Sequence, residues 1–252
     1  MKVFLTGASS GIGAALARQY AGRSAQLGLF ARRADALQAL AKPLDPAPAV
    51  YTGDVRDASA LSAAANDFIR RYGVPDVVIA NAGISRGTLS EHAEDNADFE
   101  AILSTNVVGM LHTFQPFLRA MREAHSGTLV GIASVAGFRG LPGAGAYSAS
   151  KAAAIRYLES LRVELVGTGI SVVTVCPGYV ATAMTAGNPY RMPFLLPVDE
   201  AARLIVRAIA RRRRFYVLPW QMAWLGRLLS AMPRPLFDRV LSRAKRKPRS
   251  AG

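Results

Sequence analysis

Short runs of almost continuously apolar residues alternate with longer helical stretches, and this alternation limits the folds open to the chain. The apolar runs cover residues 3–5, 26–31, 49–51, 77–80, 128–133 and 171–175. The stretches between them are rich in Ala, Leu and Arg and cover residues 12–22, 34–41, 58–71, 98–123 and 146–166. Apolar strands separated by helices are typical of a parallel sheet that is covered on both faces.

Successive parallel strands are joined by right-handed crossovers, so we predict an α/β fold: a Rossmann-like, doubly wound parallel sheet with helices on both faces. The length of 252 residues favours a single domain with a sizeable core. We place this domain at residues 1–202. It includes a substrate loop at 185–197, which is either a mobile lid or an ordinary connection. Residues 203–252 form a C-terminal extension that packs on the domain or follows it.

A glycine-rich turn follows the first predicted strand, in the segment Thr6-Gly7-Ala8-Ser9-Ser10-Gly11-Ile12-Gly13. Its glycines allow backbone amides to approach a pyrophosphate, and the helix that begins here adds partial positive charge. The spacing G-x-x-x-G-x-G differs from the G-x-G-x-x-G that is usual in dinucleotide-binding folds. Because the turn ends the first strand of a βαβ unit, we predict that it binds a nucleotide rather than only closing a tight connection.

Two arginines, Arg32 and Arg33, follow the second predicted strand, where the adenosine ribose of a dinucleotide is expected. A carboxylate at this place would favour NAD, but the first carboxylate is Asp35. An arginine can instead bind the 2′-phosphate of NADP with two hydrogen bonds. We therefore predict NADP(H) in preference to NAD(H), with Arg32 as the chief contact. The alternative is that both arginines are solvated residues at a helix start.

A serine, a tyrosine and a lysine follow the fifth predicted strand. Ser134 comes directly after that strand, and Tyr147 and Lys151 lie four residues apart on one face of the next helix. A neighbouring ammonium favours the phenolate, so we predict that Lys151 lowers the pKa of Tyr147. Tyr147 is thus a candidate general acid and base.

With these residues in place, the chain resembles the short-chain dehydrogenase/reductase family across residues 1–182, and within it the NADP-preferring carbonyl reductases and hydroxysteroid dehydrogenases. The matching elements, in chain order, are Thr6-Gly7-x-x-x-Gly11-x-Gly13, Asp54-Val55, Asn81-Ala82-Gly83, Asn106, Ser134, Tyr147-x-x-x-Lys151 and Pro177-Gly178. Each element is weak alone, but seven of them in order at the family's spacing are specific.

The resemblance implies a role for each matching position. Ser134 and Tyr147 would hydrogen-bond the substrate carbonyl oxygen, with Tyr147 as the proton donor. Lys151 would bind the nicotinamide ribose, and Asn106 would hold a water that links Lys151 to solvent. The remaining cofactor contacts implied are Gly7, Ser9, Ser10, Gly11, Ile12 and Gly13 at the turn, Asp54 and Val55 at the adenine, Asn81, Ala82 and Gly83 at the ribose, and Pro177, Gly178 and Thr182 at the nicotinamide.

Cysteine and histidine usage argues against other classes of site. The single cysteine, Cys176, excludes an internal disulfide and a multi-cysteine zinc site. The three histidines, His92, His112 and His125, do not have ligand spacing, so we expect no bound metal.

The net charge of +14 is concentrated at the C-terminal end. Residues 203–252 hold 14 of the 31 Lys and Arg residues and one of the 17 acidic residues, a net +13 that leaves +1 for residues 1–202. Within residues 234–249, an apolar set at one-sided helical spacing alternates with a basic set. The apolar set is Leu236, Phe237, Val240 and Leu241, and the basic set is Arg234, Arg239, Arg243, Lys245, Arg246 and Lys247. This pattern predicts an interfacial helix.

Three interpretations of this extension stay open: a dimer-interface helix with a solvated basic end, attachment to an anionic membrane surface, or docking of an acidic protein substrate. Nucleic acid is not expected, because no base-reading motif accompanies the charge. No charge-free run reaches the roughly 20 residues that span a bilayer. The first strand begins at residue 2 and leaves no room for a signal peptide. We therefore expect a cytoplasmic protein, or one held peripherally at the inner face of a membrane.

These patterns together predict an NADPH-dependent oxidoreductase that transfers a hydride between the nicotinamide and a carbonyl or secondary alcohol. Its small-molecule substrate is expected to be apolar, and the residues that suggest this are Phe194, Leu195, Leu196 and Trp224. The alternatives are a ketoacyl-thioester reductase that acts on an acidic carrier protein, and an inactive scaffold that senses NADPH. The family resemblance implies a homodimer through the helices at 98–123 and 146–166.

Overall fold

Seven parallel strands form one sheet in the computed structural model, which describes residues 1–243 and 246–249. The strands are β1 (Lys2–Thr6), β2 (Gln26–Ala31), β3 (Ala49–Thr52), β4 (Val77–Ala80), β5 (Gly127–Ile132), β6 (Ile170–Pro177) and β7 (Phe215–Leu218). Their order in the sheet is β3-β2-β1-β4-β5-β6-β7, and every neighbouring pair is parallel. The predicted doubly wound α/β fold is confirmed.

Helices connect the strands and cover both faces of the sheet. They are α1 (Gly11–Ala21), α2 (Ala34–Ala41), α3 (Ala58–Tyr72), α4 (Asn96–Leu103), α5 (Gly109–Glu123), α6 (Gly145–Glu164), α7 (Ala183–Ala186), α8 (Val198–Ala210), α9 (Trp220–Ala231) and α10 (Arg234–Leu241). Residue 202 lies inside α8, and β7 continues the sheet with residues of the predicted extension. The division of the chain at residue 202 stays a prediction.

Residues 98–123 are helical throughout, as predicted, but the helix is not regular. A π-helical segment, Ser104–Val108, separates α4 from α5. The side chain of Asn106 in this segment accepts from the Ile84 N–H at 2.8 Å and donates to the Ile84 carbonyl at 3.0 Å. These bonds connect the segment to the loop after β4. The helical spacing of the residues did not indicate this connection. Such π-helical turns occur often at functional sites.

Side chains of β1 alternate between two apolar cores, one on each face of the sheet. Val3 and Leu5 face the core that α1 and α8 close, and Phe4 faces the opposite core. There, the ring centroid of Phe4 lies 5.6 Å from that of Phe68 and 4.8 Å from that of Phe117. Each buried phenylalanine contributes about 1.5–3 kcal/mol to stability. The two cores hold the sheet rigid, and the loops at its carboxyl edge are fixed on it.

The strand order places a crevice at that carboxyl edge. The chain leaves β1 towards β2 and β3, then returns to place β4 on the other side of β1. The connections on either side of β1 therefore diverge, and the loops after β1 and β4 border an opening where open α/β sheets bind their ligands.

The C-terminal residues depart from the predicted helix over 234–249. Helix α10 ends at Leu241, and Lys245 lies outside the described residues. Phe237 is buried beneath the guanidinium of Arg139, which lies 4.0 Å from its ring centroid. Residues 246–249 then leave the helical path and contact the loop after β4. Of the predicted apolar set, Phe237 is therefore buried, whereas Leu236 and Val240 are exposed at the surface.

The structure also bears on membrane insertion. Within residues 1–243 and 246–249, no helix combines the length and the hydropathy that a crossing of the bilayer requires.

Candidate active site

A cavity of about 320 Å³ lies at the carboxyl edge of the sheet. It is lined from six strand ends, and most of the predicted site residues meet there. Those that line it are Gly7, Ser9, Ser10, Gly11, Ile12, Arg32, Arg33, Val55, Asn81, Ala82, Gly83, Ser134, Tyr147, Lys151, Pro177, Gly178 and Thr182. The predicted residues outside the lining are Gly13, Asp54 and Asn106. Residues far apart in the chain therefore converge on one pocket.

The glycine turn after β1 forms one end of the cavity. Gly7 and Gly11 have φ angles of 67° and 53°, a conformation that favours glycine. A Cβ atom at Gly13 would lie 2.2 Å from the Gly7 carbonyl oxygen, so helix α1 packs closely on the turn. The helix begins at Gly11, and its N-cap residue Ser10 makes no side-chain cap hydrogen bond. Amides at the start of α1 are thus available to a phosphate in the cavity.

Asn81, at the end of β4, fixes the shape of this turn. Its amide nitrogen donates to the carbonyls of Thr6 and Gly7, each at 3.1 Å. The Thr6 hydroxyl in turn accepts from the Asn81 N–H at 3.3 Å. The predicted ribose contact therefore also has a structural task, since it ties β4 to the turn across the opening.

Arg32 and Arg33 line the cavity beside the turn, as expected for contacts to the adenosine end of a dinucleotide. The Arg33 guanidinium approaches the Ser9 hydroxyl at 3.4 Å and so spans the glycine turn. Arg32 is exposed, and its guanidinium lies 3.8 Å from the Asp54 carboxylate. That carboxylate binds Arg56 more closely, at 2.8 Å, and this hydrogen bond holds the pKa of Asp54 below its usual range. Asp54 orients the basic cluster and lies outside the cavity lining.

Ser134, Tyr147 and Lys151 meet at the other end of the cavity. Ser134 is the N-cap of a short turn after β5, where its hydroxyl oxygen accepts from the Ala136 N–H at 3.1 Å. The same hydroxyl donates to the Pro177 carbonyl at 3.4 Å, and it lies close enough to the Tyr147 phenol to affect the pKa of that group. The Lys151 ammonium is buried, donates to the Ile132 carbonyl at 2.9 Å and lies 5.7 Å from the Tyr147 ring centroid. The three side chains predicted to act together are therefore neighbours.

Asn106 supports this group from behind. Its amide nitrogen donates to the Ser150 hydroxyl at 2.9 Å, and that hydroxyl donates to the Tyr147 carbonyl at 2.7 Å. A Cβ atom at Gly83 would lie 3.1 Å from the Asn106 side-chain oxygen and 3.5 Å from the Lys151 ammonium. Asn106 and Lys151 thus flank the same glycine, the place where the resemblance implies a bridging water.

The ionisation of this group differs from the sequence prediction. Burial raises the pKa of the Tyr147 phenol, and the Ser134 hydrogen bond opposes the rise. Burial lowers the pKa of Lys151 to about 8. The prediction that Lys151 lowers the pKa of Tyr147 was wrong for this structure. Desolvation outweighs the effect of the ammonium, which donates to Ile132 and not to the phenol. Tyr147 is neutral at pH 7 and holds its proton.

Several lining residues were missed by the sequence analysis: Ala31, Gly53, Ile84, Thr105, Ile132, Ala133, Val180, Ala183, Met184 and Thr185. Some of them could have been found, because Ala31, Gly53 and Ile132 end or follow strands at the carboxyl edge. Others follow from helix α7, which the sequence did not predict.

The predicted substrate loop is fixed at its base. The Ala181 N–H donates to the Leu196 carbonyl at 2.8 Å, and the Leu196 N–H donates to the Tyr179 carbonyl at 2.9 Å. Phe194 and Leu195 are largely exposed beyond this closure. Trp224 is 65% exposed on α9 and lies outside the cavity lining, so the expectation that it shapes the pocket was wrong. The reason is that α9 turns this face away from the sheet edge.

A glycine turn at a topological switch point, with a serine, a tyrosine and a lysine at the opposite end of the same cavity, defines a nicotinamide-dependent oxidoreductase. Comparison with known proteins identifies the family. Residues 1–191 match the family model described as short chain dehydrogenase, and the chain belongs to this family of NAD(P)-dependent dehydrogenases and reductases.

Similar proteins cover most of the chain. An uncharacterized oxidoreductase of Myxococcus xanthus is 38% identical over 244 residues, which are 96% of each chain. The ketoacyl reductase HetN of a Nostoc species is 35% identical over 218 residues, which are 83% of this chain and 75% of the relative. Among solved structures, an alcohol dehydrogenase of Thermococcus sibiricus complexed with 5-hydroxy-NADP aligns with a TM-score of 0.74. It is 27% identical and the alignment covers 86% of this chain and 94% of that one.

Proposed function

We propose that this protein is an NADPH-dependent reductase of ketones and aldehydes, which also runs in reverse on secondary alcohols, with Tyr147 as the general acid and base. The observation that carries this proposal is that Ser134, Tyr147 and Lys151 line the same cavity as the glycine turn. Reduction of a carbonyl needs a proton donor at the carbonyl oxygen. A phenol whose pKa is raised by burial retains that proton at neutral pH.

Each neighbour of Tyr147 has a distinct task in this reaction. The Ser134 hydroxyl hydrogen-bonds the substrate oxygen together with the phenol and so orients the carbonyl. The Lys151 ammonium, mostly protonated at pH 7 with a pKa of about 8, stabilises the phenolate that remains after proton transfer. Asn106 and Lys151 flank Gly83, so a water between them would return a proton from solvent.

The residues that line the cavity support a dinucleotide cofactor. The amides at the start of α1 would bind the pyrophosphate, Val55 and the arginines would lie at the adenosine end, and Pro177 and Gly178 would flank the nicotinamide. When bound, the nicotinamide supplies the hydride, and the protein supplies orientation and charge. The direct test is consumption of NADPH and of NADH against a panel of steroids, aromatic ketones, quinones and acyl thioesters.

Replacing Arg32 by Ala should raise the KM for NADPH by about 10- to 100-fold, because an arginine–phosphate contact contributes about 1.5–3 kcal/mol. The KM for NADH should change much less, since NADH has no 2′-phosphate. Steady-state kinetics with both cofactors measure the difference.

The control for this prediction is Arg23→Ala, which removes the same charge from an exposed position outside the cavity lining. It should leave both KM values near those of the parent enzyme. Equal loss of NADPH and NADH affinity in Arg32→Ala would refute the proposed cofactor preference.

A second candidate function is reduction of ketoacyl thioesters on an acidic carrier protein. The relative named ketoacyl reductase HetN supports it, and so does the net charge of +13 on residues 203–252. This candidate would be favoured if the enzyme reduced an acyl thioester and if its KM were lower for the thioester bound to an acidic carrier protein than for the free thioester. Equal KM values for the free and carrier-bound thioester would favour a small-molecule substrate.

We also propose that the extension holds the enzyme at an anionic lipid surface. Trp220, Trp224 and Leu228 lie four residues apart on one face of α9 and are 69%, 65% and 63% exposed. The Arg227 guanidinium lies 5.6 Å from the Trp224 ring, and Arg211–Arg214 are exposed before β7. Exposed tryptophans among cations match the interface of a membrane that carries anionic lipid.

This proposal predicts sedimentation with vesicles that contain phosphatidylglycerol, at low salt, and weak or no sedimentation with pure phosphatidylcholine vesicles. High salt should release the protein, because the Debye length falls to about 3 Å at 1 M salt and electrostatic attraction is then screened. Trp224→Ser should weaken the binding, while Val166→Ser, at another exposed apolar position, should not.

Equal binding to neutral and anionic vesicles would exclude the electrostatic part of the lipid proposal. Loss of binding to both, together with a concentration-dependent dimer that Trp224→Ser dissociates, would instead assign this face to a second copy of the chain. A homodimer through α5 and α6 is a separate proposal, supported by the exposed apolar residues Leu111 and Val163 on those helices.

A further inference from the structure

The last described residues of the chain, 246–249, cross the loops that border the active site. We call them the C-terminal strap. The Gly87 N–H, in the loop after β4, donates to the Pro248 carbonyl at 3.1 Å. The next residue of that loop, Thr88, donates its N–H to the Gly143 carbonyl, also at 3.1 Å, just before α6. The strap therefore lies alongside two loops that are themselves joined.

An ion pair holds the end of the strap. The Arg249 guanidinium nitrogen Nε donates to both carboxylate oxygens of Asp95, at 3.0 and 2.9 Å. Asp95 is buried, also accepts from the Leu89 N–H at 2.8 Å, and has a pKa below its usual range because of these hydrogen bonds. Breaking a buried pair of this kind leaves a carboxylate without its cation, which is costly.

The loops contain glycine where the strap passes closest. A Cβ atom at Gly87 would lie 2.3 Å from the Pro248 carbonyl oxygen and 2.5 Å from the Lys247 carbonyl oxygen. A Cβ atom at Gly143 would lie 2.8 Å from the Arg246 Cβ. Any larger residue at Gly87 would thus displace the strap backbone.

Lys247 extends from the strap to Tyr147. Its ammonium donates to the Ser85 hydroxyl at 2.6 Å and lies 5.9 Å from the Tyr147 ring centroid. Lys151 contacts the same ring from α6, at 5.7 Å. The proposed acid and base therefore has a second cation beside it, which comes from the C-terminal strap.

Lys247 differs from Arg249 in having a neutral partner. Its ammonium donates to a serine hydroxyl, whereas the Arg249 guanidinium binds a carboxylate. The residue is only partly exposed, and burial lowers the pKa of its ammonium. Partial desolvation of a cation is costly, and an anionic ligand would offset that cost.

We propose that Lys247 is a specificity-determining residue that binds an anionic group, a carboxylate, on the carbonyl substrate. The inference rests on the proposed reductase function, because it places the substrate carbonyl at Ser134 and Tyr147. It names the substrate class as oxo acids and the corresponding hydroxy acids, in place of the wholly apolar substrate that the sequence suggested.

The experiment compares acids with their methyl esters, which differ in charge but hardly in shape: benzoylformate and 4-acetylbenzoate, each beside its methyl ester. The parent enzyme should reduce the acid of at least one pair with the higher kcat/KM. In Lys247→Met, kcat/KM for that acid should fall by about 10- to 100-fold, as expected for loss of a charged hydrogen bond, and the acid-to-ester ratio should fall with it.

Two further variants separate the charge from the strap. Lys247→Arg should retain most of the acid preference, because the charge persists, and Lys42→Met, the same change at an exposed site after α2, should retain all of it. Gly87→Ala should lower the acid-to-ester ratio without removing any charge, since it displaces the strap. Circular dichroism and NADPH titration establish that each variant is folded.

Three results would overturn the proposal: an ester preference in the parent enzyme together with turnover of neutral ketones, an unchanged acid-to-ester ratio in Lys247→Met, or faster turnover of acid and ester alike in Gly87→Ala. The last result would make the strap an inhibitory cover. Failure of the proposed reductase function looks different, because the parent enzyme would then reduce no carbonyl in the panel.

Discussion

Tyr147→Phe should lower kcat by about 10²- to 10⁴-fold, the range that a positioned general acid contributes, while NADPH still binds. The substitution removes only the phenolic oxygen. The ring remains, and so do its contacts with the Lys151 and Lys247 ammonium groups, at 5.7 and 5.9 Å. The substrate carbonyl would then face Ser134 without a proton donor of suitable pKa.

Single-turnover kinetics with NADPH and the best ketone of the panel measure the chemical step, and fluorescence titration measures the Kd for NADPH. The matched control is Tyr157→Phe, the same change on the same helix at a partly exposed tyrosine outside the cavity lining. It should retain parent activity. Parent-level turnover by Tyr147→Phe would exclude the mechanism, and loss of NADPH binding in that variant would assign Tyr147 to the cofactor site alone.

The fold could be predicted from sequence because most residues of each strand are apolar. Val78 in β4 and Leu129 in β5 are both buried, and each of these strands has a neighbouring strand on both sides. Runs of this kind do not show the alternation of apolar and polar residues that a half-exposed strand would have. The glycine turn was predictable for a related reason. Glycine is the residue that most readily adopts the positive φ angles at Gly7 and Gly11, so the residue type indicates the backbone conformation.

The π-helical segment and the strap could not be predicted in the same way. Asn106 bonds to Ile84, 22 residues earlier, and Arg249 bonds to Asp95, 154 residues earlier. Neither bond changes the local pattern of apolar and polar residues. That pattern therefore predicted a regular helix through residues 104–108, and it predicted a helix over residues 234–249 where α10 ends at Leu241. Contacts of this range are fixed by the tertiary structure.

The ionisation of the site also needed the structure. Four-residue spacing places Tyr147 and Lys151 on one face of α6, and this was correct. Spacing alone says nothing about burial, which shifts the pKa of both groups towards their neutral forms. It also does not reveal that the Ile132 carbonyl takes the lysine's hydrogen bond. The electrostatic effect was inferred from one neighbour, but the whole environment determines it.

Among substitutions that leave the reacting groups unchanged, Gly13→Ala is expected to have the largest effect on protein stability and on NADPH binding. Its Cβ would lie 2.2 Å from the Gly7 carbonyl oxygen and 2.6 Å from the Asn81 amide nitrogen, so the turn, the helix or both must move. Overpacking of this kind costs about 1–3 kcal/mol. For a chain of this length, that corresponds to a fall in Tm of about 2–12 °C.

The same movement should weaken NADPH binding, because the α1 amides and the Asn81 bonds to Thr6 and Gly7 define one phosphate-binding surface. The matched control is Gly22→Ala at the other end of α1. There, φ is −61° and the nearest atom to an added Cβ is 3.5 Å away, so alanine fits and should leave Tm unchanged or raise it slightly. Differential scanning calorimetry and NADPH titration separate the two variants. If Gly13→Ala kept the Tm and the NADPH Kd of the parent enzyme, the close packing of α1 on the turn would not be required for cofactor binding.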